Sequence, residues 1–199
     1  MMKSWAEYFE LSKNRGPNPI LENALKLVVE RQHALDLGAG SLKDSKFMLS
    51  VGFEKVTAID AEPASRKYRC KIPTKQLAIQ IKTFEGLKLK PNTYNFISAQ
   101  YALPFTSPPH LPALIKQIQN SLKPNGIFCA QFFGINDDWS KTEKQITFVK
   151  RSELKTLLQP LDTIYFKEKK FLGKTIDNTA KNWHLFEIIA IKTPTIIKA

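Results

Sequence analysis

The sequence predicts an α/β fold built on a mostly parallel sheet, and three observations carry that reading. The apolar run from Ala34 to Leu37 ends in a glycine turn, Gly38-Ala-Gly40. A second apolar run, Val56-Thr-Ala-Ile, ends in Asp60, twenty residues after Gly40. Strand-like and helix-like stretches then alternate to about residue 133, before two strand-like runs joined by a polar link. Such alternation needs parallel crossovers, which place helices on both faces of the sheet. In that arrangement the glycine turn and the carboxylate share the carboxyl edge of the sheet, where a nucleoside-bearing ligand lies.

The elements follow in order. Residues 4–30 are predicted helical and amphipathic, with Trp5, Tyr8 and Phe9 on one face and Leu21, Leu25 and Val28 on another. The segment Asn14-Arg-Gly-Pro-Asn-Pro19 divides them into two helices. Strand one is placed at about 32–37 and a helix at 41–49, with Gly52 as its stop. Strand two covers 55–60, and Pro63 opens a helix running to about Cys70. Strands three and four are placed at 77–82 and 94–99, and a helix with Leu114, Ile115, Ile118 and Leu122 on one side at 109–122. After the turn Lys123-Pro-Asn-Gly126, the nearly all-apolar run 127–133 reads as a central fifth strand. A short helix at 151–158 precedes two strand-like runs, 162–171 and 183–191, which bracket the polar link 173–182 and read as a hairpin closing one edge.

Composition narrows the class. With 199 residues, the chain is expected to form a single domain. No apolar run reaches membrane-spanning length, and the start, Met1-Met-Lys-Ser-Trp, does not resemble a signal peptide. Cys70 and Cys129 make no disulfide framework and fit a reducing cytoplasm. The formal charge of +12 favours anionic ligands. Yet the nine Lys/Arg against four Asp/Glu of residues 141–175 form no unbroken basic block, so a solvated basic surface is the plainer reading. Scattered histidines and the lack of a Cys-x-x-Cys pair indicate no metal site. There is no Gly-x-Ser-x-Gly elbow and no Gly-Lys-Ser/Thr phosphate loop.

The glycine turn discriminates between cofactors. A dinucleotide fingerprint reads Gly-x-Gly-x-x-Gly, but here the last position is Lys43. Asp36, two residues before the turn, would repel a diphosphate. Beside a cofactor carrying an ammonium and a sulfonium it would attract, which favours S-adenosylmethionine over NAD(P).

Taken together, Asp36-Leu-Gly-Ala-Gly40, Val56-Thr-Ala-Ile-Asp60, Tyr94-Asn-Phe-Ile-Ser98 and Leu122-Lys-Pro-Asn-Gly126 resemble the successive motifs of class I S-adenosylmethionine-dependent methyltransferases. The opening Trp5-Ala-Glu-Tyr8 with Arg15-Gly-Pro17, and the tail with Phe148 and Trp183-His184-Leu-Phe186, resemble small bacterial members, including the tellurite-resistance group. The resemblance implies a Rossmann-like, doubly wound, mostly parallel seven-stranded sheet with an antiparallel C-terminal strand. It implies capping helices over 1–30, a cofactor-binding core over 31–133, and a substrate-facing loop and hairpin over 134–199. It also implies that Gly38, Ala39 and Gly40 let the methionine moiety pass, with Asp36 near its amino group. Asp60 would take the ribose hydroxyls, Ala61, Phe84 and Glu85 would border the adenine, and Gln100 and Tyr101 would lie between methionine and substrate. The sequence departs from the pattern at Leu42, where the family often has a third glycine, and at Asn95, where an acid is usual.

Methyl transfer from a sulfonium can proceed largely by positioning, so an obvious catalytic group is not required. Asp137 and Asp138, in the loop after strand five, and His184 are the candidates for orienting an acceptor or taking its proton. The fourth strand ends Ser98-Ala-Gln-Tyr101 and lacks the Asn/Asp-Pro-Pro-Tyr signature of amino-group methylation on bases or glutamine, which favours a small-molecule acceptor. The alternatives are a non-catalytic adenosylmethionine-binding or nucleic-acid-associated protein, and an NAD(P)-dependent oxidoreductase.

Overall fold

The computed structural model describes residues 4–194; Met1–Lys3, where the reading of the start begins, and residues 195–199 lie outside them. Two short helices come first. Helix α1 (Trp5–Ser12) is capped by Ser4, whose side chain accepts the Glu7 N–H, and α2 (Pro19–Leu25) by Asn18, which accepts from Ile20. The second helix is shorter than the pattern predicts and leaves Val29 exposed. Alternation then begins with β1 (His33–Leu37), α3 (Lys43–Ser50), β2 (Lys55–Asp60) and β3 (Leu77–Ile81). Pro63–Arg69, predicted as a helix, is a seven-residue 3₁₀ segment that ends at Cys70, which has a positive φ of 57°. There follow β4 (Tyr94–Ala99), α4 (Leu111–Ser121), β5 (Leu122–Gly134), β6 (Phe148–Val149), α5 (Arg151–Leu158), β7 (Asp162–Lys174) and β8 (Ala180–Ile191).

The sheet order is β3-β2-β1-β4-β5-β8-β7. β3 through β5 are parallel; β8 runs antiparallel to both β5 and β7. This is the expected seven-strand path with its antiparallel C-terminal strand. Two-residue β6 is an addition the sequence did not signal. β4 stops with Ala99 opposite Ala130, so the end of β5 has a free side, and β6 pairs there with Phe133 and Gly134. The strand order turns back between β1 and β4, which opens the crevice of a doubly wound sheet at the carboxyl ends of these strands.

β5 begins earlier than the turn at 123–126 suggests. Asn125 takes a left-handed φ of 62°, and the register against β4 shifts between Tyr94 and Phe96, so the strand absorbs the turn as an irregularity. The hairpin strands are also longer than predicted. The link shrinks to 175–179, closed by the Thr175 N–H on the Thr179 carbonyl.

Two apolar layers sandwich the sheet. On one face α1, α2 and α3 bury Phe9, Leu21, Leu25, Leu42 and Met48 against Ala34, Phe96 and Cys129. On the other, α4 and α5 bury Leu114, Ile118, Leu154 and Leu158 against Leu35, Phe128, Phe132 and Phe186. Because alternate residues of a strand face opposite ways, β5 feeds both layers. Among the described residues no helix is long and apolar enough to cross a membrane.

Where β5 ends, packing tolerates no side chain: a Cβ on Gly134 would stand 2.2 Å from Nδ1 of the buried His184 ring. Gly134→Ala is therefore expected to lower stability by about 1–3 kcal/mol, read as a shift of the urea midpoint with unchanged slope.

Candidate functional site

The site is built around the turn after β1. Gly38 and Gly40 have φ of 70° and 51°, conformations glycine adopts at little cost. The N–H groups of Gly38 and Ala39 both donate to the Ile59 carbonyl, at 2.8 and 3.1 Å. The Gly40 N–H donates to Asp60 Oδ2 at 2.8 Å, and Asp60 Oδ1 accepts the Glu62 N–H at 2.8 Å. The turn and the acid are thus fastened to each other. Burial raises the Asp60 pKa, opposed by these main-chain donors. Each carboxylate oxygen keeps a lone pair for a further donor.

Space over the turn is set by neighbours. A Cβ on Gly38 would fall 2.3 Å from the Ala102 Cβ and 4.0 Å from Phe84 Cζ; one on Gly40 would meet the Phe9 ring at 3.2 Å. The structure therefore brings together Gly38, Ala39, Gly40, Asp60 and Phe84. Ala61 and Glu85 stand on the exposed rim. Gln100 donates to Ser98 Oγ at 3.1 Å, and Tyr101 follows with a left-handed φ of 54°. For a bulky residue this is a strained conformation.

Asp36 lies beneath the turn, buried, and accepts the Ser45 hydroxyl at 2.5 Å. Burial first, then the neighbouring Asp44, push its pKa up to about 7. The Asp44 pKa is also raised by burial, opposed by Lys43, whose Nζ is 2.8 Å away. Lys43, which breaks the dinucleotide pattern, thus serves as the counter-ion of a buried carboxylate. Asp44 and Ser45 were missed by sequence reasoning; their signal was only that a helix starting so close to Asp36 must turn its first polar side chains inward.

The loop after β5 corrects an expectation. Asp137 is fully buried and does not face a substrate. Its carboxylate accepts Lys181 Nζ at 2.8 Å and the main-chain N–H groups of Trp139 and His184 at 3.1 Å. The Lys181 ammonium also lies 3.3 Å from the Trp183 ring centroid and 3.9 Å from that of Trp139. His184 is taken up as well: Nδ1 accepts the Asn136 N–H at 3.1 Å, which leaves Nε2 to donate to Glu168 at 3.0 Å. Asp138 accepts the Asn182 main-chain N–H at 2.7 Å, which holds its pKa below the ordinary value. These three residues brace the β8 hairpin instead of presenting a free base.

Other residues missed by sequence reasoning form a polar group beside Tyr101. Gln131 of β5 and Glu187 of β8 are buried and face each other in register. Glu187 pairs with Lys169 at 2.5 Å. The signal was present: Gln131 is a lone polar residue inside the apolar run 127–133, as is Glu187 inside 185–191.

Two outcomes are expected. Asp137→Asn leaves the buried Lys181 charge without its partner and should cost about 3–5 kcal/mol of unfolding free energy; adding Lys181→Met should recover much of it. Asp36→Asn should show a pH dependence. The folded-state pKa lies above the ordinary one, so the native state holds this proton more tightly than the unfolded chain. The stabilising contribution is full at low pH and is lost as pH rises towards and through about 7. The melting temperature of the variant relative to the parent should be nearly unchanged below about pH 4, rise from there to about pH 7, and level off above it.

Known proteins share this fold. The methyltransferase-domain family matches residues 34–126, which span the turn, Asp60, Gln100 and Tyr101. No curated protein matches the chain in sequence. Among solved structures, TehB from Haemophilus influenzae, a tellurite-resistance-type methyltransferase, superposes with a TM-score of 0.77 at 16% identity, over 96% of this chain and 68% of that one. A putative methyltransferase solved in complex with the Haloferax volcanii Trm112 activator gives 0.76 at 15% identity, over 96% and 95%. The 1,6-didemethyltoxoflavin-N1-methyltransferase of Burkholderia thailandensis, solved with its substrate and S-adenosylhomocysteine, gives 0.66 at 16%, over 98% and 92%. Residues 34–126 are thus similar to a methyltransferase domain, and the chain shares the fold of these methyltransferases.

Proposed function

We propose that the chain transfers the methyl group of S-adenosylmethionine to a small-molecule acceptor by in-line displacement. The observation that carries this reading is the bond between the Gly40 N–H and Asp60, which sets a side-chain-free turn beside a carboxylate at the switch in strand order. The donor set fits a cationic cofactor. Asp60 presents a carboxylate at the turn while Lys43 is committed to Asp44, an environment that would repel a diphosphate.

S-adenosylmethionine supplies a methyl group on sulfonium sulfur; a lone pair of the acceptor forms the new bond to carbon, the C–S electron pair passes to sulfur, and any proton on the acceptor atom is released. In this reading residues 1–30 cap the site, 31–133 hold the cofactor, and 134–199 face the acceptor. The turn at 38–40 passes the methionine part and Asp36 offsets its ammonium. Asp60 accepts the ribose hydroxyls, and Ala61, Phe84 and Glu85 border the adenine. Gln100 and Tyr101 lie between cofactor and acceptor, so they position the reacting atoms. Asp137, Asp138 and His184 keep the walls in place, and we assign no base among them. The thiols of Cys70 and Cys129 are free, and a reducing cytoplasm is the compartment we propose.

Titration calorimetry tests the reading. S-adenosylhomocysteine should bind and NADH should not. Asp60→Ala should weaken S-adenosylhomocysteine binding by about 1–3 kcal/mol, the usual loss for a charge-assisted hydrogen-bond partner. Binding of NADH alone, or an unchanged affinity in a folded Asp60→Ala variant, would remove the proposal.

A further inference from the structure

Half of the chain's formal charge of +12 sits in one stretch. Between Glu62 and Glu85 there are six cations, Arg66, Lys67, Arg69, Lys71, Lys75 and Lys82, and no Asp or Glu. The stretch runs from the 3₁₀ segment Pro63–Arg69 through the crossover to just past β3, the edge strand of the sheet. Arg66, Lys67, Lys71, Lys75 and Lys82 are exposed, and none of them joins an ion pair among the described residues.

These cations are carried on a fixed support. The sixth, Arg69, turns inward: its Nη1 donates to Thr74 Oγ1 at 3.2 Å and its Nη2 to the Leu77 carbonyl at 2.7 Å, which fastens the crossover to the start of β3. Tyr68 is buried against the Phe9 ring and donates to Glu10. The acids that flank the stretch are already engaged. Glu10, which feels the Lys67 charge, also accepts Lys13, and Glu62 caps the Ala64 N–H. The other basic region is different, because there Glu168 meets both Arg151 and Lys170.

What such a surface binds follows from its composition. Cations held on a stiff support without counter-ions attract a partner with repeating negative charge. None of the large apolar side chains that stand exposed among the described residues falls in 63–84. The surface thus offers no ring for an unstacked base and no apolar anchor for a lipid bilayer, which favours the phosphates of a duplex over a single strand or a membrane. The five residues of β3 rise about 17 Å, the length of about five base pairs. We propose that residues 63–84 form a docking surface for double-stranded nucleic acid, in which Arg66, Lys67, Lys71, Lys75 and Lys82 contact backbone phosphates and read no base sequence. The proposal invokes neither cofactor nor acceptor and stands apart from the methyl-transfer reading.

The test titrates the full chain into a fluorescent DNA duplex of about 20 base pairs and reads anisotropy. Binding should saturate with a Kd of about 10⁻⁶–10⁻⁴ M near physiological salt, and log Kd should rise with log[KCl] with a slope of about 3–5. Arg66→Ala, Lys67→Ala, Lys71→Ala and Lys75→Ala combined should weaken binding at least tenfold and lower that slope by about 3, with the melting temperature unchanged. Lys71→Glu with Lys75→Glu, on the exposed crossover alone, should weaken it at least fivefold. Lys141→Ala, Lys144→Ala, Lys167→Ala and Lys174→Ala combined remove the same charge from the other basic region and should change Kd less than threefold. An RNA duplex of the same sequence should bind within threefold of the DNA, and a single strand at least threefold more weakly. Equal losses in the two four-alanine variants would trace binding to net charge alone and overturn the inference. So would the absence of saturable duplex binding, tighter binding of the single strand, or tighter capture by phosphatidylglycerol vesicles than by the duplex.

Discussion

The hydrogen bond from the Gly40 main chain to Asp60 fixes how the rest of the site is laid out. It joins the turn after β1 to the end of β2, two positions twenty apart in the chain. Main-chain bonds from Gly38 and Ala39 to Ile59 tie the same two ends together. With both anchored, α3 must start directly behind the turn, which drives Asp44 and Ser45 into the space under Asp36. The acidic character of the turn is thus a by-product of close packing as well as a feature suited to a cation.

Much of this was legible in advance, for a physical reason. Parallel strands buried on both faces leave long apolar runs, and the turns between them need glycine or acids, so β1, β2, β4 and β5 announce themselves. What was not legible depends on contacts between distant segments. The two-residue β6 exists only because β4 stops short of β5's end. The candidate role of Asp137 rests on a loop at the correct edge, but the hairpin that carries His184 returns to that loop, and Lys181 and His184 are joined to it. Chain distance hides this: Lys181 is 44 residues from its partner.

Leu42 shows how one term outweighs another. It occupies a left-handed position, φ 60°, where the family resemblance leads to an expectation of glycine. The conformation costs a leucine roughly 1–2 kcal/mol. Full burial of its side chain in the layer with Phe9 and Met48 returns about 1.5–3 kcal/mol. The two are close enough that the position tolerates either residue, so the missing glycine does not argue against the turn. Asn95, the other departure, accepts the His33 N–H at 3.2 Å and donates to Glu30 at 3.1 Å, well away from the crevice.

β7 ends the sheet on one side, thirteen residues long, with Ile164, Tyr165, Phe171 and Leu172 partly in water. An open ladder of that length and greasiness invites a second molecule to zip on by main-chain pairing. Lys167, Lys170 and Lys174 punctuate the same ribbon, so two copies brought edge to edge would stack like charges. Part of the chain's surplus of positive charge thereby acts as a guard against self-aggregation, a service that would weaken as salt screens it.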